Sequence, residues 1–178
     1  MLESGLLQTA INLNQILVII PVLNEASTIS GVLLALKKQG LTNIRVVDNG
    51  STDDSVAIAT ALQADVISEP KRGYGQACWT GLQNIPPEID WILFCDGDGS
   101  DDLSQLPRFF DAAEHSDFIL ANRRHNAQSR SKLTPPQNFG NALAVKLIHW
   151  GWGHQYQDLG PLRLIRREAL HQLSLIHI

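Results

Sequence analysis

The sequence predicts an α/β fold: a doubly wound, mostly parallel sheet with helices on both faces. Three observations predict it. The continuous apolar runs at residues 16–20 (ILVII) and 91–95 (WILFC) read as strands buried on both sides, as in a parallel sheet. Amphipathic stretches of helical period alternate with such runs at the spacing of βα units. Polar or charged residues follow each predicted strand, which is where such sheets bind ligands, at carboxyl ends around a topological switch point.

The elements follow in order. The first strand, residues 16–20, ends at Pro21, tolerated because it sits where pairing stops. Ile29, Val32, Leu33 and Leu36 repeat at i, i+3, i+4, i+7 and give a helix that Gly40 stops. Residues 44–47 form a second strand, running into Asp48-Asn49-Gly50-Ser51. Ser51 with Asp54 makes a capping-box pattern for a helix over 53–62. Residues 65–68 are strand-like, 71–75 a glycine-punctuated loop, and a helix follows to about residue 82. After the 91–95 strand, Leu106, Phe109, Phe110 and Ala113 mark another helix, and 117–121 another strand. Residues 125–136 read as a loop, and Phe139, Leu143, Leu147 and Trp150 suit a helix. Residues 162–165 close the pattern as a strand, and a helix starts at Arg167.

Bulk properties narrow the function. The 178 residues suit one domain over 1–178, and 44% hydrophobic with 18% charged residues is a globular composition. A net charge of −4 supplies no basic field for a nucleic-acid backbone. No apolar run reaches bilayer length, and residues 1–13 carry Glu3 with no Lys or Arg, unlike a secretory leader. Cys78 and Cys95 match no metal spacing and read as free thiols of a reducing compartment. The expected location is therefore cytoplasmic, with a membrane-surface acceptor compatible with it. The uncapped apolar end Leu175-Ile176-His177-Ile178 is expected to be a truncated C-terminus.

The chemistry concentrates after the 91–95 strand. Asp96 and Asp98 are two residues apart, so in extended backbone both would point to one side, with Gly97 and Gly99 leaving room for a bulky anion. Adjacent carboxylates raise each other's pKa unless a cation neutralises them, and a divalent ion held by two carboxylates keeps positions open for phosphate oxygens. A calcium loop of EF-hand type fails at its sixth place, Asp101, and its twelfth, Pro107. Asp101 and Asp102 are expected to cap the helix that follows. Asn24 and Glu25 follow the first strand, Asp48 and Asn49 the second, and Lys71 and Arg72 the third. The G-x-x-x-x-G-K-[ST] phosphate cradle is absent. Arg163 falls inside a strand-like segment, where a buried arginine calls for an anionic partner.

These pieces in this order resemble the family 2 glycosyltransferases of GT-A fold (Rossmann-like), in particular the branch with the polyprenyl (dolichyl)-phosphate sugar synthases. The resemblance rests on Ile20-Pro21-Val22-Leu23-Asn24-Glu25, Val46-Val47-Asp48-Asn49-Gly50-Ser51-Thr52-Asp53, Gly73-Tyr74-Gly75 with Ala77, Asp96-Gly97-Asp98, and Asp158-Leu159-Gly160-Pro161-Leu162-Arg163. It implies a metal-dependent, inverting transfer of a sugar from a nucleotide-diphosphate donor to an acceptor, expected to be a polyprenyl phosphate or a glycan. It implies donor binding by Pro21, Asn24, Glu25, Asp48, Asn49, Lys71, Gly75, Asp96 and Arg163. Asp98, with Asp96 beside it, would hold Mg²⁺ or Mn²⁺ against the diphosphate. Asp158 is the candidate catalytic base. The family often has a second Asp where this chain has Asn49. Two alternatives stand beside this reading: a nucleotidyltransferase acting on sugar phosphates, and a non-catalytic nucleotide-binding fragment. Against the first, the place of its glycine- and arginine-rich loop holds Val22-Leu23-Asn24-Glu25.

Overall fold

The computed structural model describes residues 11–121 and 161–174. A 3-10 turn, Leu13–Gln15, leads into β1 (Ile16–Val22), followed by α1 (Ile29–Lys38), β2 (Ile44–Asp48), α2 (Ser55–Ala61), β3 (Asp65–Ser68), α3 (Tyr74–Gly81) and β4 (Trp91–Phe94). A second 3-10 turn, Leu103–Gln105, precedes α4 (Leu106–Ala112) and β5 (Phe118–Leu120). β6 (Arg163–Arg166) and a last helix, here α5 (Arg167–Ser174), complete the described fold. The strands form one sheet in the order β3-β2-β1-β4-β6-β5. β1 pairs parallel with β2 and β4, and β2 parallel with β3. Among the described strands, β6 alone runs antiparallel, against both β4 and β5. The chain winds outward from β1 in both directions, so the switch point lies between β1 and β4.

Strand alternation sorts the core into two layers. Ile16, Val18, Ile20 and Val22 face one side, against Ile29, Val32, Leu33 and Leu36 of α1 and Leu106 and Phe109 of α4. Leu17 and Ile19 face the other, with Ala77 of α3, Ile92, Phe94 and Ile165. Leu33 and Leu36 are fully buried, each contributing about 1.5–3 kcal/mol of apolar transfer. The expected i, i+3, i+4, i+7 face is thus the buried face of α1. Its end is a Schellman motif: Leu41 N donates to Leu36 O (3.2 Å) and Gly40 N to Lys37 O (3.0 Å), with Gly40 at φ +86°. Lys37 and Lys38 complement the dipole there.

Four local expectations change. β1 continues through Pro21 to Val22. The Ser51–Asp54 capping box does not form, because Ser51 Oγ accepts from Asn24 N (3.0 Å) and Asp54 makes no side-chain cap bond. α2 starts at Ser55, whose N–H (3.0 Å) and hydroxyl (2.5 Å) bond to Asp53 Oδ1. Of the two acids expected as caps, Asp102 accepts from Ser104 N (3.2 Å) while Asp101 Oδ2 accepts from Asp96 N (2.9 Å). The expected loop at 125–136 and helix through Phe139, Leu143, Leu147 and Trp150 lie outside the described residues.

One glycine sets how closely α3 approaches the sheet. A Cβ built at Gly81 would collide with Ile19 Cγ2 and stand 3.2 Å from Val47 Cγ2. A Cβ at Gly75 in the same helix meets nothing within 4 Å. Gly81→Ala is therefore expected to destabilise the fold by about 1–3 kcal/mol in urea denaturation. Gly75→Ala should leave the midpoint unchanged or raise it, as helix propensity favours alanine.

Candidate functional site

The site begins with a missing rung. Along β1 the even residues bond to β2: Val18 N donates to Asn43 O (2.8 Å), and Val22 O accepts from Asn49 N (2.8 Å). The odd residues face β4, where Ile19 O accepts from Cys95 N (3.2 Å). Pro21 is odd, so its missing donor lies on the β4 side, past the end of β4 at Phe94. β1 outruns β4, and a cleft of about 220 Å³ opens between their tips. Pro21, Val22, Leu23 and Glu25 line it from β1, and Asp96, Gly97 and Asp98 from β4; Asn49, Tyr74 and Ala77 complete it.

The β1 and β2 loops are tied to one another. Asn24, at φ +60°, accepts from Thr52 N through Oδ1 (2.8 Å) while its own N–H donates to Ser51 Oγ (3.0 Å). Asparagine tolerates this left-handed conformation better than most residues. Glu25 N donates to Ser55 Oγ (2.8 Å), and Ala26 N to Asp53 Oδ2 (3.0 Å). Asp48, only 9% exposed, accepts from Ser51 N (2.9 Å). The Thr28 hydroxyl reaches Gly97 O at 2.9 Å and Glu25 Oε2 at 3.1 Å, which brings the acidic turn against the β1 loop.

Asn49 anchors a strap, residues 69–73. Its Nδ2 donates to Glu69 O (2.9 Å) and Lys71 O (2.8 Å), and its Oδ1 accepts from Gly73 N (2.7 Å). Glu69 secures the strap from within: it accepts from Lys71 N (2.7 Å), from Gln76 Nε2 (3.2 Å) and from the Thr80 hydroxyl. These donors, Thr80 first, hold the Glu69 carboxyl below its ordinary pKa. The strap delivers the chain to Tyr74, whose hydroxyl donates to Asp96 Oδ1 (2.8 Å). Burial, and then the Asp96 charge, push the Tyr74 phenol well above its usual range.

The acidic turn is not extended backbone, because β4 stops at Phe94 and the chain turns at Gly97. Asp96 and Asp98 nevertheless line one cleft. Asp98 Oδ1 accepts from Ser100 N (2.8 Å), and its side chain is exposed to solvent. Gly97 is buried, and a Cβ there would stand 3.2 Å from Val22 Cγ2. Cys95 beneath the turn is fully buried, and burial pushes its thiol well up. Arg163 starts β6 opposite Phe94. Because β6 is antiparallel, that start lies at the cleft end of the sheet. Its Nε donates to Pro161 O (3.2 Å), and the guanidinium stands 5.9 Å from the Phe94 ring centroid.

Of the residues expected at the site, Pro21, Glu25, Asn49, Asp96 and Asp98 line the cleft. Asn24 and Asp48 organise its adjoining loops, Lys71 and Gly75 are exposed on the strap and on α3, and Arg163 borders the sheet end. Asp158 lies outside the described residues. Sequence reasoning missed Tyr74 as a site side chain and missed Glu69 altogether. Tyr74 stands between two glycines next to the strap, a position that could have signalled it; an isolated Glu before Pro70 gave no signal. The donor set suits a hard cation: two carboxylates on one wall, oxygen only. Among the described residues, no group of three or more His, Cys, Asp or Glu side chains could hold a metal ion.

Comparison with known proteins adds the family. The model of glycosyl transferase family 2 matches residues 17–174. The chain belongs to glycosyltransferase family 2. An uncharacterised glycosyltransferase of Mycobacterium tuberculosis is 29% identical over 176 residues, covering 89% of this chain and 71% of that protein. A dolichyl-phosphate hexose transferase of Haloferax volcanii is 25% identical over 171 residues, covering 93% of this chain and 72% of that one. Among solved structures, glucosyl-3-phosphoglycerate synthase of M. tuberculosis, in complex with Mn²⁺, UDP-glucose and phosphoglyceric acid, superposes with a TM-score of 0.68 at 22% identity. That match covers 88% of this chain and 58% of the synthase, so the chain spans little more than half the synthase's length. The fold is the GT-A fold of these glycosyltransferases.

Two substitutions test the strap of this family 2 domain. Asn49→Asp replaces the amide donor that serves the Glu69 and Lys71 carbonyl oxygens with an acceptor oxygen, and is expected to cost about 1–3 kcal/mol in urea denaturation. Glu69 has a depressed folded pKa, so its contribution is present above the unfolded value and fades as pH falls through the folded one. Glu69→Gln should therefore flatten the acid side of a stability-versus-pH curve measured by urea midpoint. An unchanged acid limb would remove Glu69 from that role.

Proposed function

We propose that this chain binds a nucleotide-diphosphate sugar in the β1–β4 cleft together with Mg²⁺ or Mn²⁺ and transfers the sugar, with inversion, to an acceptor. The observation that carries the reading is that Asp96 and Asp98 share one cleft with Glu25 and Asn49, at the switch point of a family 2 domain. The complexes of glucosyl-3-phosphoglycerate synthase support it, since that protein binds UDP-glucose with Mn²⁺. Family membership favours sugar transfer over the nucleotidyltransferase alternative.

The residues divide the work. Asp98, exposed on the wall, and Asp96, oriented by Tyr74, would hold the cation. When bound, it offsets the negative charge that grows on the departing diphosphate. Glu25, Asp48 and the Asn24–Thr52 bridge form the side where the nucleoside lies; Pro21 floors the cleft. Lys71 on the strap and Arg163 at the start of β6 supply charge-assisted hydrogen bonds to phosphate. Gly75, with open space at its Cα, leaves room beside α3.

Two acceptor classes fit. A hydroxyl acceptor needs a base, and Asp158 is assigned that role. A polyprenyl phosphate is already ionised and needs none; the dolichyl-phosphate hexose transferase among the relatives supports this class. Such an acceptor would place the protein at the cytoplasmic face of a membrane. Among the described residues no helix is long and apolar enough to cross one.

Calorimetric titration of UDP with Mn²⁺ present and with chelator tests the donor site. Mn²⁺-dependent binding that Asp98→Asn weakens about tenfold or more, the scale of a lost charged contact, is expected. Equal binding with chelator would contradict the metal role. Turnover of labelled nucleotide sugars, with release of the diphosphate, separates an enzyme from a binding fragment.

A further inference from the structure

A link of two hydrogen bonds made by consecutive residues, Gly73 and Tyr74, joins opposite lips of the cleft. It starts at the end of β2, where Asn49 Oδ1 accepts from Gly73 N (2.7 Å), and ends at the turn after β4, where the Tyr74 hydroxyl meets Asp96 Oδ1 (2.8 Å). Gly73, at φ +144°, gives the strap a backbone conformation that side chains rarely adopt, and α3 begins at the next residue. Tyr74 lines the cleft and is 48% exposed as a residue. Its ring sits at the first position of a helix whose packing against β1 and β2 is fixed further along, at Ala77 and Gly81.

We infer that Tyr74 is a positioning residue: its phenol hydroxyl fixes the orientation of the Asp96 carboxylate and so sets how tightly a cation and a nucleotide diphosphate bind together. This inference rests on the donor-site reading given above. The physical reason is preorganisation. Asp96 lies just past the end of β4, between buried Cys95 and Gly97, and any spread left in its two side-chain torsions must be narrowed when a ligand binds. A phenol donating to one oxygen holds the plane in place before the ligand arrives, as outer hydrogen-bond partners do for metal-ligating carboxylates. The strap extends this dependence to Asn49. Asn49 therefore supports Asp96 through the backbone of Gly73 and Tyr74.

Tyr74→Phe removes only the hydroxyl, and the half-exposed ring keeps its place. Thermal unfolding without ligand should match the wild type. In calorimetric titrations with UDP, the variant should bind about 10- to 100-fold more weakly than wild type when Mn²⁺ is present, and equally when a chelator is present. Asn49→Asp should weaken the Mn²⁺-dependent arm in the same direction. If Tyr74→Phe and wild type bind alike in the Mn²⁺ arm, or if the variant loses affinity equally in both arms, the positioning role is overturned while the donor site stands. If wild-type protein shows no Mn²⁺-dependent binding of UDP, the donor-site reading fails and this inference falls with it.

Discussion

The unequal reach of two neighbouring strands governs this molecule. β1 extends three residues past its last partner on β4: Ile19 pairs with Phe94, and Ile20, Pro21 and Val22 pair only with β2. Proline at position 21 makes the inequality permanent, because it has no N–H to offer a longer β4. A sheet that would otherwise close stays open at its switch point. The open wedge lies above a fully buried apolar layer, so it is rigid at its base and polar at its mouth. Rigid strands below and polar loops above are the arrangement that lets a binding site hold its geometry without being buried.

Those loops are unusually interdependent. The β1 loop is held by Ser51, Thr52, Asp53 and Ser55 of the β2 loop; the strap after β3 is held by Asn49; the turn after β4 is held by Thr28 and Tyr74. Each bond alone adds only about 0.5–1.5 kcal/mol. Their joint effect is to lower the entropy that the loops would lose on ordering around a ligand. Small polar residues serve here because their short side chains reach backbone donors without filling the cleft. The same logic explains why the capping-box pattern at Ser51 went unused: the serine is worth more as an acceptor for the neighbouring loop than as a cap for its own helix.

Much of this was legible in the sequence. The parallel α/β order, the buried face of α1 and the convergence of polar residues at strand ends follow from periodicity and from apolar runs that end in charge. What stayed hidden was mostly a matter of pairing between distant segments. Nothing in the local pattern says that β6 runs antiparallel, which is what carries Arg163 to the cleft end of the sheet. Extended geometry predicted that Asp96 and Asp98 would point together; they share a cleft, but by way of a turn that starts where β4 runs out. Glu69 was invisible because its partners, Thr80, Gln76 and the Lys71 amide, gather only when α3 folds back. Asp101 and Asp102 look alike in sequence, yet one holds the Asp96 amide and the other caps a turn.

The central claim is that the β1–β4 wedge is where a dication and a nucleotide diphosphate meet. Anomalous diffraction from crystals grown with Mn²⁺ and UDP tests it most directly. The account predicts a manganese peak within bonding distance of the Asp98 carboxylate, on the wall it shares with Asp96, with the diphosphate beside it. A manganese peak elsewhere on the protein, or UDP lying outside the wedge, would contradict it.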